Sequence, residues 1–148
     1  HVCNLAPMQR EIRDRCNERF RTVLYRRAML RIAEQIAGRT ECRALVTGEA
    51  VGQVASQTLV NMNTINRSIR MLVLRPLVGA DKLESIRIAE EIGTFELSNV
   101  QVPDSCTVFA PSSPSTAVPE PLAEAEELKI PDYPQIMEKI IADIVTIA

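Results

Sequence analysis

The sequence predicts an α/β fold, a partial parallel sheet with flanking helices. Three observations carry that prediction. Ala44-Leu45-Val46 and Met71-Leu72-Val73-Leu74 are short continuous apolar runs without alternation, the pattern of strands covered on both faces. Each run leads through a turn into a helical pattern, so the order is strand, helix, strand, helix, as in βα units. The turn after the first run carries Gly48 and Gly52, which let backbone approach a neighbour closely.

The elements follow in order. Residues 1–5 read as the end of a strand. Residues 7–16 read as a helix, with Pro7 at the first turn, where a missing N–H does no harm. A longer helix is expected over 19–37, stopped by Gly38. At 100° per residue its Val23, Met29, Leu30, Ala33, Ile36 and Ala37 share one apolar face, with Arg26 near the middle. The first strand spans 43–47. A helix over 53–63 places Val51, Ala55, Leu59 and Met62 on one stripe, and 61–66 reads as a polar exit loop. The second strand, 71–74, ends at Arg75-Pro76, since proline cannot continue a central ladder. Asp81 and Glu84 form a capping-box pair opening a helix that Gly93 stops, with Leu83, Ile86, Ala89 and Ile92 facing inward. Residues 96–109 read as a loop. Six of the nine prolines fall between Pro111 and Pro134 among several glutamates, which reads as a surface arm with a short helix over 121–128. A last amphipathic helix, 133–147, must dock on the body, on another subunit or on a further domain.

Composition narrows the class. At 148 residues one domain is expected, and 46% hydrophobic residues with 3% aromatics require an aliphatic core. No apolar run approaches the roughly 20 residues of a membrane span, and no signal peptide is visible. Cys3, Cys16, Cys42 and Cys106 have no CxxC spacing, so no zinc site is expected, and free thiols in a cytoplasmic protein fit better than a disulfide scaffold. The chain starts at His1-Val2-Cys3 without Met, which reads as part of a longer chain. Up to Arg43 there are ten arginines against five acids; from Ala44 on, seven Lys and Arg face fourteen acids. The basic first third suits a polyanion such as RNA, or equally a solvated helix face, since no aromatics interleave with the arginines.

Two features invite chemistry. The segment from Val46 through Gly48 and Gly52 to Thr58 is strand, glycine turn and helix start, the way open α/β sheets build nucleotide sites. It contains neither GxxxxGK[ST] nor GxGxxG, so an ordinary βα turn explains it as well. Arg26 on an apolar face needs an anion or acceptors. A ligand phosphate or ribose would supply them; so would a core carboxylate, or snorkelling to the rim.

Residues beyond pattern then narrow the choice. The stretches Arg26-Arg27-Ala28-Met29-Leu30-Arg31-Ile32-Ala33, Val46-Thr47-Gly48-Glu49 and Gly52-Gln53-Val54-Ala55-Ser56-Gln57-Thr58 resemble the tRNA 4-thiouridine synthetase (ThiI) family. So do Leu74-Arg75-Pro76-Leu77, Asp81-Lys82, Ile88 to Thr94, and Cys106-Thr107-Val108-Phe109 followed by Pro111. The resemblance spans about residues 1–118. It implies the second half of a PP-loop (adenine nucleotide alpha hydrolase-like) ATP-binding domain over residues 1–110, followed by a proline-rich acidic arm and amphipathic helix over 111–148. It implies a sulfurtransferase that adenylates a uridine carbonyl oxygen in tRNA. A persulfide then attacks and AMP leaves. Many members also supply sulfur for the thiazole of thiamine. By motif position, Arg26, Gly48 and Gln57 fall on ATP contacts and Cys106 on the reactive cysteine. Many relatives carry two adjacent cysteines there; this chain has Ser105 before Cys106. No resident metal is implied beyond the Mg2+ that accompanies ATP. Implied partners are tRNA, a cysteine desulfurase or other persulfide donor, and a second copy in a homodimer. The phosphate-gripping SGG-x-DS motif is not in this sequence, so it is expected upstream, as are the ferredoxin-like and THUMP domains. The alternative is a non-catalytic nucleotide-binding or oligomerising module derived from the same fold.

Overall fold

A computed structural model describes residues 1–102 and 109–147. Its first helix, α1 (Ala6–Arg15), carries Pro7 in the first turn and buries Met8, Gln9 and Ile12. The preceding segment makes a single antiparallel bridge, Val2 to Val145, rather than a strand in the sheet. After a 3-10 turn (Glu18–Phe20), α2 (Arg21–Arg39) runs through the middle of the molecule. It does not stop at Gly38. Helical bonding continues to Thr40, whose N–H reaches Ile36 O and whose hydroxyl also bonds that carbonyl. The left-handed residue is Glu41, at φ 57°.

Strands β1 (Ala44–Val46) and β2 (Leu72–Leu74) pair in parallel, Ala44 opposite Leu72 and Val46 opposite Leu74. Parallel pairing over a helical crossover follows from the βα order of the sequence. Expected coverage of both faces is not what the fold shows: Val46 is 69% exposed and Leu72 61% exposed. Helices pack against part of this two-stranded sheet and leave the rest of its apolar surface open.

The crossover also starts later than periodicity suggests. A 3-10 turn (Ala55–Gln57) precedes α3 (Leu59–Asn66), and the expected exit loop is the last part of that helix. Thr58 decides the start. Its backbone is extended and its Oγ1 accepts the N–H of Asn61, a standard N-cap. The buried face is consequently Asn61, Met62, Thr64 and Ile65, while Leu59 points to solvent.

Helix α4 (Lys82–Glu91) opens with the expected reciprocal capping box of Asp81 and Glu84, and Gly93 follows it at φ 75°. The expected inward face is not buried, however: no α4 residue is, and Leu83 is 76% exposed. A short α5 (Phe95–Ser98) takes the place of the start of the loop expected over 96–109. Helices α6 (Glu120–Glu127) and α7 (Tyr133–Ala142) follow. Both dock on the body. Val118, Ala123, Ile130, Met137 and Ile140 join Met8, Ile12, Leu24, Tyr25 and Ala28 in one core. That core is aliphatic, with Tyr25 its one fully buried aromatic among the described residues. No helix among them is long and apolar enough to cross a membrane.

Candidate functional site

The site lies where both parallel strands end and the glycine turn begins. After β1 the chain continues as Thr47-Gly48-Glu49, and after β2 as Arg75. Thr47 N–H donates to Leu74 O at 3.0 Å and Val51 N–H to Val78 O at 3.0 Å, so the two loops stay paired beyond the strands. Gly52 adopts φ 82°, a region costly for side-chain-bearing residues, and its N–H closes on Gln57 O at 2.9 Å. Among the described residues, chain neighbours aside, nothing lies within 4 Å of where a Cβ on Gly48 would sit, so the space beside that backbone is open.

The loops bring three charged side chains together. The Glu49 side chain is buried, 7% exposed. Arg26 Nη1 donates to its Oε1 at 2.6 Å. Arg75 Nε donates to its Oε2 at 2.8 Å, and Thr47 Oγ1 donates to the same oxygen at 3.0 Å. Arg75 Nη1 further donates to Asn66 Oδ1 on α3 at 3.1 Å. Burial alone would raise the Glu49 pKa. Hydrogen bonds from Arg75 and Thr47 and the charges of Arg26 and Arg75 outweigh it, so the carboxyl ionises below its ordinary range.

Arg26, Gly48 and Gln57 are thus placed on the elements meeting at this end of the sheet, with two differences from expectation. Arg26 is not at the centre of a single apolar face: its side chain is 26% exposed, and the fully buried arginine of α2 is Arg27, at 1%. Helix α2 is wrapped on several sides, so one-face periodicity misassigned which arginine goes inside. Gln57 lies in the 3-10 turn before α3, not on that helix. Cys106 lies outside the described residues. Among the described cysteines, Cys16 is no thiolate candidate, because burial beside Glu126 pushes its thiol up to about 11.

Glu49 and Arg75 are what sequence reasoning did not single out. A signal existed for both. An acid directly after Gly48, and an arginine ending an apolar parallel strand, sit at the carboxyl ends of strands, where open α/β sheets bind ligands.

Four buried polar atoms in the described residues of this region have no hydrogen-bond partner: Arg26 Nε, Arg75 Nη2, Gln57 Oε1 and Ser56 Oγ. Unsatisfied buried groups are rare and costly in native proteins. Here they include donors and an acceptor, which a ligand having both kinds of group would satisfy. A nucleotide is such a ligand, so the residues present fit one.

The family profile described as Thiamine biosynthesis protein (ThiI) matches residues 1–130. The chain belongs to the ThiI family. Curated ThiI-like relatives agree. It is 42% identical over 142 residues to the probable tRNA sulfurtransferase of Brevibacillus brevis, covering 96% of this chain and 35% of that protein. It is 43% identical over 139 residues to the probable tRNA sulfurtransferase of Thermotoga maritima, covering 94% of this chain and 36% of that one. The chain therefore spans about a third of the length of the curated relatives it matches. A solved structure, a crystal structure of a 4-thiouridine synthetase–RNA complex with bound ATP, matches with a TM-score of 0.90 at 42% identity. It covers 96% of this chain and 37% of that one.

Proposed function

We propose that this ThiI chain supplies the part of a tRNA sulfurtransferase that holds ATP on the side away from the SGG-x-DS loop. The observation that carries the reading is the match, at TM-score 0.90 and 42% identity, to a 4-thiouridine synthetase complexed with RNA and bound ATP. The orphaned donors and acceptor around Glu49 support it, because they await a polar ligand.

In this reading Arg26 offers guanidinium donors to the nucleotide, Gly48 lets it approach the backbone, and Gln57 offers its amide. The uridine carbonyl oxygen of tRNA attacks the α-phosphorus of ATP, supplied with Mg2+. The bond to the β-phosphate breaks and pyrophosphate leaves, which gives the adenylate. The terminal sulfur of a persulfide then attacks the carbon bearing that oxygen, the carbon–oxygen bond breaks, and AMP departs with the oxygen. A second thiol attacks the inner cysteine sulfur, so the S–S bond breaks and the outer sulfur stays on the uridine. A disulfide is left, to be reduced by an external thiol before the next turnover. Cys106 is the proposed cysteine of this sulfur chemistry. A persulfide donor such as a cysteine desulfurase would feed it, in the cytoplasm where tRNA is modified, and the protein would act as a homodimer. Sulfur for the thiamine thiazole belongs to the same proposal, in keeping with the family's description.

The test is thiolation of tRNA by the full-length protein carrying Arg26→Ala or Cys106→Ser. Arg26→Ala should abolish or strongly impair adenylation. Cys106→Ser should retain adenylation and lose sulfur transfer. Normal 4-thiouridine formation by both variants would refute the assignment.

A further inference from the structure

Glu49 and Arg75 have no role in the reading above, yet they form the centre of the site. We propose that Arg75 is a further nucleotide-contacting residue and that Glu49 is the positioning residue that holds Arg26 and Arg75 side by side for the ligand. This rests on the reading of the site as an ATP site.

The charge balance is the first argument. Two guanidiniums converge on one carboxylate, so the cluster keeps one positive charge in excess, with Arg75 only 14% and Glu49 7% exposed. An excess charge in such surroundings calls for an anion or further acceptors.

The second argument is a comparison within the same helix. Arg27 and Arg31 converge on Glu127 with the same two-to-one ratio. Arg27 donates to Oε1 at 2.7 Å and Oε2 at 3.0 Å, and Arg31 donates to them at 2.7 and 2.8 Å. Two further acceptors complete the cluster: Arg27 Nη1 donates to Thr64 O at 2.6 Å and Arg31 Nη1 donates to Tyr133 Oη at 2.7 Å. No polar atom of that cluster is buried without a partner. It is closed, as a structural ion cluster should be. The Glu49 cluster is open: Arg26 Nε and Arg75 Nη2 are both buried and unpartnered. Two arginines, two spare donors and one excess charge suit the acceptor atoms of a nucleotide.

The third argument is how Arg75 is fixed. Glu49 grips each arginine with a different oxygen, and Asn66 holds a second nitrogen of Arg75, leaving Nη2 as its one unused end. A guanidinium immobilised at two of its nitrogens has already lost the freedom that binding would otherwise remove.

The experiment is steady-state tRNA adenylation by the full-length protein, with KM for ATP and kcat determined separately. Glu49→Gln and Arg75→Lys are compared with Glu127→Gln, which disturbs the closed cluster, and melting temperatures are recorded for all three. Glu49→Gln and Arg75→Lys should each raise KM for ATP about tenfold, more than they change kcat, while Glu127→Gln leaves KM for ATP unchanged despite a comparable or larger loss of melting temperature. Equal KM values for all three variants would overturn the proposal. Should the charged variants fail to fold, Asn66→Ala decides: it removes one hydrogen bond from Arg75 and no charge, and should raise KM for ATP about threefold. An unchanged KM there also overturns it. A wild-type protein with no saturable dependence on ATP would instead bring down the underlying reading of the site.

Discussion

Glu127 shows how much one carboxylate can hold. It sits at the end of α6 and satisfies two arginines of α2, one of them 1% exposed. Removing it leaves two guanidiniums without their anion, a loss of the kind that costs about 3–5 kcal/mol. We expect Glu127→Ala to destabilise the protein by about that amount, read by denaturant unfolding. An effect within about 0.5 kcal/mol, the range of ordinary surface substitutions, would refute the cluster's structural role. The same residue predicts a pH dependence. Burial would raise the Glu127 pKa, but hydrogen bonds from Arg31 and Arg27 and their charges hold it below the ordinary range, as Arg75 and Thr47 do for Glu49. In the unfolded chain both ionise near the usual carboxylate value of about 4.3. Between folded and unfolded values the unfolded chain binds more protons. Stability contributed by these two groups is therefore present above about pH 5 and is lost as pH falls through the unfolded value towards the folded ones. Thermal melts from pH 7 down to 3 should show that loss, and Glu127→Gln should shrink it. A Glu127→Gln curve parallel to wild type across that range would contradict it.

Elements are joined by buried polar braces as much as by apolar contact. Asn61 on α3 is fully buried, and its side-chain nitrogen donates to Ala55 O at 2.7 Å and Ser115 O at 2.8 Å. Its Oδ1 accepts the N–H of Val118 at 2.8 Å. Thr58 and Thr64 add bonds to Thr116 O and Val118 O. Residues 115–118 are therefore stitched to both α3 and the 3-10 turn that carries Gln57. The strap continues into α6, whose Glu127 reaches α2. Asn61→Ala should cost about 2–3 kcal/mol, because it leaves the buried N–H of Val118 and two half-buried carbonyls without partners. Amide hydrogen exchange should show Val118 N–H losing most of its protection while α1 keeps its own. Unchanged exchange at Val118 would mean the strap is held by apolar packing alone.

Over the whole molecule, one side is finished and the other is not. Helices α1, α2, α3, α6 and α7 enclose the aliphatic core. Among the described residues the sheet has two strands, and Val46, Leu72 and Leu74 are exposed, as are Leu83 and Ile92 of the α4 region. Exposed apolar residues in such number mark surface that another body covers. The chain spans about a third of the length of its relatives and contains no SGG-x-DS motif. Unpartnered donors lie around Glu49, but the motif expected to grip phosphates is not in the sequence. We therefore expect the isolated chain to bind ATP weakly, in the millimolar range or above. A calorimetric titration giving micromolar affinity would refute that division of labour.

Local chemistry was readable without coordinates wherever it is decided by neighbours in the chain. The capping box of Asp81 and Glu84, Pro7 in the first turn of α1, the βα order and the family motifs all depend on residues a few positions apart. Periodicity failed where burial depends on what arrives from far away. Arg27 rather than Arg26 is buried because Glu127, 100 residues later in the chain, folds back over that side of α2. The face of α4 stays open because no described element covers it. The start of α3 was misplaced because apolar spacing ignores caps, and Thr58 with Asn61 outweighed it. Sequence alone marked the stretches of chain that carry Arg26, Gly48 and Gln57. Only the tertiary structure could show that β1, β2 and α2 bring Glu49, Arg75 and Arg26 to one point, because charge pairing over such separations is a property of the fold and not of any segment within it.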